Sequence, residues 1–536
     1  MKLTGEQILK RFKEAESKKS NFKNTYKEAY EFFSPNRETF DNPTEGTKRS
    51  TSDGKIFDST CQDALKKAVN NLQSSIFPPQ KKFASLKLGS LLSSSAKNQD
   101  ELNASLEKIT DIFFQAIYTS NFDTQISEVL EDLLMGTGSM MMQKGTLNNP
   151  FVFVAIPLAE VFLERGVDGS IRSHYRRWQL EGELLQETWE DIKLTDELAN
   201  KVKEKPTEKI SLIECTTKAK ITRNRIEIKD GKGEKITETV DGFKYYVLHG
   251  KDILVERDMI SSPWVTMRYS VSAGEVYGRG PVLDALPDGK VLNKTKEFIL
   301  KNAHLAIAAP RTVVDDGSIS LENIRIEPGA NIPVSANPGN PNGPTISVLP
   351  SGANFNVGQL VLDDLRKSIR SIMMVDPLGE IDAPVKSATE ISYRAQQTAK
   401  LLGSAYGRIQ IEGVKMIINR GLHILEELGL IDNLQNYRVD GIHLGIEHLS
   451  PLAKAQSEED INAMIRYAEV ISQFYGPQMM AVMTNPTAFA RTLADKMKVP
   501  LDVLPTPEQL QAVQQAAMQA QAAEQTQGVP QQNPIV

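Results

Sequence analysis

Cysteine is almost missing from this chain. Its two residues, Cys61 and Cys215, lie too far apart in sequence to make a metal-binding or redox spacing. That excludes a disulfide framework and leaves two reduced thiols as the expected state. No stretch approaches the roughly 20 apolar residues that span a bilayer, so no membrane insertion is expected. The N-terminus, MKLTGEQILKRFKEAESKKSNF, is charged throughout and lacks the apolar core of a secretory signal; the expected place of synthesis and residence is the cytosolic side. Positive charge is not in excess either. The 62 Lys and Arg residues are outnumbered by 68 Asp and Glu, a net charge of −6, which argues against a protein whose whole surface grips phosphate backbones.

Common catalytic motifs are missing too. DGKGEK at 230–235 lacks the spacing and trailing Lys-Ser/Thr pair of a phosphate-binding loop and reads as a turn. GTGSMMM, beginning at Gly136, lacks the third glycine of a dinucleotide fingerprint and follows a predicted helix where that motif needs a strand. Among six histidines only His443 and His448 lie close, at a separation that suits neither one helix face nor a zinc motif, so surface or hydrogen-bonded histidines are expected. Neither G-x-S-x-G nor His-Glu-x-x-His occurs. VDPLGEID gathers Asp376, Glu380 and Asp382 into one acidic loop. A solvated loop is the simpler reading, and a Mg²⁺-dependent nuclease site the alternative. No other catalytic residue, cofactor or metal site is expected.

What is present is ordinary globular composition, 40% hydrophobic and 24% charged, in a chain of 536 residues, long enough for several domains. Residues 5–33 place Ile8, Leu9, Phe12, Ala15, Tyr26, Ala29, Tyr30 and Phe33 at helical intervals up to Pro35. FDSTCQDALKKAVNNLQSSIFPP predicts a helix with Asp58, Ser59 and Thr60 as caps and Pro78-Pro79 as its stop. Two more helices are expected near 100–119 and 123–135, ending at Gly136 and Gly138. From Phe151 to about Ser270 short alternating runs predict a β-rich region. A helix over 281–306 follows, with Pro281 at its first position, Pro287 as a potential kink and Pro310 beyond its end.

Residues 311–354 predict two or three strands, with ten Pro or Gly between Pro328 and Gly352. A helix over about 356–374 would then place Val361, Leu365, Ile369 and Ile372 on one face. After the loop at 375–384, a helical pattern runs from Ser387 to Leu428, with Gly403, Gly407, Gly413 and Gly421 marking kinks or close contacts and Gly429 its C′ residue. Short helices are expected thereafter. Lys290, Lys294 and Lys301 share a helix face with Glu297 between them. Such a set is either a solvated surface with local ion pairs or a loose contact for a polyanion. Asp363 is expected to pair with Lys367, leaving Arg366 and Arg370 as a second basic stripe.

Four stretches together resemble the head-to-tail connector, or portal, proteins of short-tailed bacteriophages. They are FDSTCQDALKKAVNNLQSSIFPPQKKFASLKL at 57–88, YGRGPVLDALPDGKVLN at 277–293, SATEISYRAQQTAKLLG at 387–403 and SPLAKAQ at 450–456, in order along most of the chain. The resemblance implies an α+β, mainly helical subunit of a ring of about twelve around a channel for double-stranded DNA. It implies a wing at 1–280 (helical 1–149, β-rich 150–270) and stem helices at 281–306 and 356–374. A β clip falls at 307–355, a tunnel loop at 375–386, a long wing helix at 387–430, a crown at 431–505 and a C-terminal helix and tail at 506–536. The partners it implies are further copies of the chain, a terminase or packaging ATPase, a tail adaptor protein, capsid proteins and scaffolding or internal core proteins. The place is a capsid vertex at the head–tail junction, after assembly in the host cytoplasm. An enzyme, or a non-ring scaffold or adaptor, is the alternative.

Within that frame Lys290, Lys294, Lys301, Arg366, Arg370, Asp376, Glu380 and Lys386 are the candidates to face the DNA. Near the C-terminus, QLQAVQQAAMQAQAAEQTQ holds Leu510, Val513, Ala517 and Ala520 at heptad-like spacing. Those four would pack neighbouring copies into a barrel whose glutamines pass DNA without retaining it. A polar low-complexity tail is the other reading.

Overall fold

The computed structural model describes residues 3–35, 37, 56–88, 99–229, 232–307, 309, 311–315, 331–335, 346–348, 355–375, 403, 405–431, 444–449, 451–475, 489–490 and 492–494. Asp376, Glu380, Asp382, Lys386, His443 and the expected barrel residues Leu510, Val513, Ala517 and Ala520 lie outside them.

The chain is α+β. Helix α1 (Gly5–Phe33) starts on a capping box, the Thr4 hydroxyl accepting from the Gln7 amide while the Gln7 side chain accepts from the Thr4 amide. The apolar positions read from the sequence are the buried ones, and Lys19 joins them. Its ammonium donates to the carbonyls of Leu158, Ala159 and Val161 at 2.6–2.8 Å. Burial pushes its pKa down, while three carbonyl acceptors and the Phe162 ring beneath it satisfy the cation. Helix α2 (Thr60–Ile76) has Ser59 at its N-cap without a side-chain cap bond, and Asp58 just before it accepts from the Thr60 amide and hydroxyl.

The stretch expected to be all helical contains two strands. Strand β1 (Ala84–Leu88) precedes α3 (Gln99–Tyr118) and α4 (Phe122–Met135), and β2 (Thr137–Lys144) follows directly after Gly136. Residues 137–142 are all buried, so the alternation that would announce β2 is absent. β2 is the centre of an antiparallel sheet between β3 (Phe151–Ile156) and β9 (Trp264–Arg268). A second antiparallel sheet runs in sequence order through β4 (Val161–Arg165), β5 (Ile171–Glu181), β6 (Lys209–Lys229), β7 (Lys232–His249) and β8 (Asp252–Met259). Inside this expected β-rich stretch two helices interrupt, α5 (Leu184–Thr188) and α6 (Asp196–Glu204).

The stem-like pair is α7 (Pro281–Ile307), which runs through Pro287, and α8 (Phe355–Ile372). Between them lie β10 (Arg311–Asp315), β11 (Asn331–Ser335) and β12 (Ile346–Val348), with β10 parallel to β11 and antiparallel to β12. The apolar face of α8 differs from the expected one by a residue: Leu362, Ile369 and Met373 are buried, and Val361 is exposed. After the helical residues 405–409, a π-helical turn (Gln410–Val414) leads into α9 (Lys415–Glu427), closed at Gly429 with φ 70°, the expected C′ glycine. Strand β13 (Leu444–His448) pairs antiparallel with β1, far away in sequence. In place of several short helices, α10 (Pro451–Tyr475) is one element of 25 residues.

One large core joins α1–α4, the β2 sheet, the start of α7 and α9; a smaller one packs Ile8, Phe12 and Ala15 of α1 onto Phe162, Tyr175 and Tyr246.

Candidate functional site

The motif Tyr277-Gly278-Arg279-Gly280-Pro281 crosses the α4–β2 junction, backbone against backbone. A Cβ on Gly278 would lie 2.1 Å from the Gly136 carbonyl oxygen, one on Gly136 2.2 Å from that of Gly278, and one on Gly280 2.0 Å from that of Leu134. No side chain larger than hydrogen fits there. The crossing is pinned by the Tyr26 hydroxyl donating to the Gly278 carbonyl (2.7 Å), the Gly278 amide donating to Thr137 Oγ1 (2.8 Å) and the Arg279 amide donating to the Ser270 carbonyl (2.7 Å). It sets where α7 leaves the body.

Beside it, Arg268 is only 2% exposed. Its guanidinium meets the Glu412 carboxylate at 2.5 and 3.2 Å, and its other donors reach the carbonyls of Val276 and Gly169. Glu412 also accepts from the Arg268 amide and from Arg408. Glu412 sits in the π turn, where an extra residue per turn re-aims every side chain that follows. Two glycines flagged from the sequence are contact points here. A Cβ on Gly413 would come 2.4 Å from Met267 Sδ, and one on Gly421 2.4 Å from the Phe113 ring. So the long helix is seated on the β2 sheet and α3 by notches and by one buried ion pair. Sequence reading missed this pair, whose partners are 144 positions apart.

The charged candidates on α7 and α8 are mostly neutralised within the chain. Lys290 pairs with Glu28 of α1 at 2.5 Å, and Lys294 and Lys301 both hold Glu297, at 2.8 and 2.6 Å. Hydrogen bonds from those two lysines keep the Glu297 carboxyl below its ordinary range. Arg366 is not half of a free basic stripe: it donates to Asp58 at 2.7 Å and to Asp363 at 3.2 Å. Asp363 therefore pairs with Arg366, three residues on, and not with Lys367, because the Asp58 carboxylate draws the guanidinium to that side. Burial works against the Asp58 carboxylate, but hydrogen bonds from Thr60 and Arg366 lower its pKa. Arg370 is half-buried on α8. Ser368 donates to Asp288 at 2.7 Å, tying α8 to α7 near the body.

Farther along, α7 and α8 turn apolar side chains to solvent. Phe298 is 53% exposed, Ile307 88% and Leu360 72%, with Val291, Leu300 and Val361 also open. Among the described residues no group of His, Cys, Asp and Glu is arranged to hold a metal ion, and no helix is long and apolar enough to cross a membrane. Cys61 and Cys215 are both buried, and burial pushes the Cys61 thiol up to about 12.

A family model described as bacteriophage head to tail connecting protein matches residues 5–504. A probable portal protein of Bordetella phage BPP-1 is 24% identical over 266 residues, which span 48% of this chain and 46% of that relative, slightly under half of its length. Among solved structures, a chain from the virion of a native gene transfer agent particle matches at 10% identity over 80% of this chain and 91% of its own, with a TM-score of 0.34.

Proposed function

This chain belongs to the family of bacteriophage head to tail connecting proteins, and from that membership we propose that it is a portal subunit whose copies close into a ring at one capsid vertex. Double-stranded DNA passes through the ring during packaging and ejection. The observation that carries the reading is the exposed apolar set Val291, Phe298, Leu300, Ile307, Leu360 and Val361 along the outer stem. Apolar side chains left in solvent in this number, on two sides of α7 and on α8, mark a surface that something covers. In a ring the stem of the next copy covers it. At 27 residues, α7 is about 40 Å long, enough to form the wall of a channel.

The charge distribution suits a conduit. Lys290, Lys294, Lys301 and Arg366 each hold a carboxylate of their own chain, so they soften the wall's repulsion of phosphate without presenting bare charge. Asp376, Glu380 and Lys386 would set the local field of the tunnel loop. The assignments of wing, stem, clip, long wing helix and crown follow from the same reading. The clip offers the platform for a packaging ATPase and later for a tail adaptor; capsid and scaffolding or core proteins surround the wing. ATP chemistry belongs to another chain.

Negative-stain images and light scattering of the purified protein test this directly. Annular particles of several hundred kilodaltons are expected, and a single-copy particle at every concentration would overturn the proposal. A chain truncated after Pro505 tests the C-terminal barrel: rings should form, while packaged DNA is retained less well. Unchanged packaging and retention would remove the terminal helix from the mechanism.

A further inference from the structure

Helix α1 serves two cores. Its first half, through Ile8, Phe12 and Ala15, packs in the smaller one on Phe162, Tyr175 and Tyr246, and its second half, from Tyr26 to Phe33, belongs to the larger. Between Ala15 and Tyr26 the only buried residue of the helix is Lys19. An ammonium sunk to 4% exposure needs a site built to receive it.

That site is made of backbone. The Lys19 Nζ lies 2.6 Å from the Leu158 carbonyl oxygen, 2.7 Å from that of Ala159 and 2.8 Å from that of Val161, and 4.1 Å from the centroid of the Phe162 ring. An alkylammonium has three N–H donors, and three carbonyls of one turn match them. Calcium would need about six or more oxygens, and magnesium about six in an octahedron.

The turn also has bonds that do not involve the lysine. The Glu160 amide donates to the Pro157 carbonyl at 2.9 Å, the Val161 amide to the Leu158 carbonyl at 3.3 Å and the Arg177 amide to the Glu160 carbonyl at 3.1 Å. The buried Asp132 carboxylate accepts from the Leu158 amide. These bonds aim the carbonyls whether or not a cation is seated among them.

We propose that the turn at 158–161 is a binding site for a primary ammonium group and that Lys19 is its tethered occupant. With the tether removed, the site takes a small primary alkylammonium ion from solution. In the intact chain the seated ammonium fixes the register of α1, so that Tyr26 reaches the Gly278 carbonyl and Glu28 reaches Lys290. The inference holds whether or not copies of the chain form a ring. The competing explanation is that the long apolar stem of Lys19 merely packs, and any chain of its length would serve.

Thermal unfolding of three full-length chains, wild type, Lys19→Ala and Lys19→Met, separates the two. Lys19→Ala should unfold several degrees below wild type, because three buried carbonyls lose their donor. Ethylammonium chloride should raise its Tm along a saturable curve, the folding constant growing about tenfold at about ten times the half-saturating concentration. Potassium chloride and tetramethylammonium chloride at the same ionic strength should not, since neither offers N–H donors. The wild type, its seat already taken, should respond alike to all three salts. Lys19→Met fills the space without a donor and should unfold below wild type and ignore ethylammonium. Should Lys19→Ala be recovered only unfolded, refolding from denaturant should return folded protein with ethylammonium and none with tetramethylammonium. Lys19→Met as stable as wild type, an equal response of Lys19→Ala to the three salts, or no stabilisation or refolding of it by ethylammonium would each overturn the proposal.

Discussion

Arg268 and Ile307 belong to the same chain, yet a full charge is buried at the first and a bare aliphatic side chain stands in solvent at the second. Around Arg268 everything is matched: carboxylate to guanidinium, carbonyl to ammonium at Lys19, glycine to glycine at the α7 junction. These buried groups find their partners within one copy. Farther along α7 and on α8, Phe298, Ile307 and Leu360 instead stand largely in solvent. On the proposed ring, the difference separates what folds the subunit from what a neighbouring copy would cover, and it predicts that substitutions in the two regions have effects of different kinds.

The largest effect should come from the glycine crossing. Gly278→Ala puts a methyl group into the space of the Gly136 carbonyl, and neither backbone has room to retreat. A loss above about 4 kcal/mol, or no soluble folded protein, is expected in thermal unfolding and expression yield. A well-folded variant would mean that the two segments are not interlocked. Next comes Glu412→Ala, which strands the Arg268 guanidinium in the interior and should cost about 3–5 kcal/mol. Replacing both partners with apolar residues, Arg268→Met and Glu412→Leu, should recover much of that loss. Failure to recover would show that the pair also aims the π turn.

A pH measurement sharpens the comparison inside the body. Asp132 lies between the Tyr30 hydroxyl (2.6 Å) and the Arg37 guanidinium (2.5 Å). Burial outweighs both and pushes its carboxyl from 3.8 up to about 6. A folded-state value above the unfolded one stabilises fully below the unfolded value and loses that contribution as pH rises through about 6, roughly 3 kcal/mol in all. His174, stacked on Trp264, acts in the other direction: burial pushes it down to about 3, so its contribution is present above pH 6.5 and is lost on acidification. The wild-type curve mixes the two. The difference between wild type and Asp132→Asn isolates the first: the wild type should lose ground between pH 4 and 6.5, and a flat difference would contradict this account.

The sequence made the stem far more legible than the body's fastenings. Prolines and glycines bracket α7 and α9 closely, and the expected bounds 281–306 stand beside an observed Pro281–Ile307. Family motifs led to the crossing at 277–280 but not to its reason, which needs the Gly136 carbonyl, 142 residues upstream of Gly278. Strand β2 escaped because six consecutive buried residues show no alternation. The basic stripe on α8 dissolved for a similar reason. Arg366 is claimed by Asp58, a residue that helical spacing cannot bring to mind. Local periodicity carries elements; partners across the fold leave no periodic trace.

The smallest effect on the isolated chain, and the most telling contrast, belongs to the stem. Phe298 and Leu360 are mostly exposed, so Phe298→Ser with Leu360→Ser should leave the unfolding free energy of a single copy within about 0.5 kcal/mol of wild type. If copies close into the proposed ring over this surface, ring yield should nevertheless fall steeply, because the apolar area that is idle in one copy would be buried between two. Unfolding of the dilute chain and annular particles counted at high concentration read the two quantities separately. If the single copy itself loses stability, the strip packs within its own chain. If both quantities stay unchanged, the strip is not the surface that joins the copies.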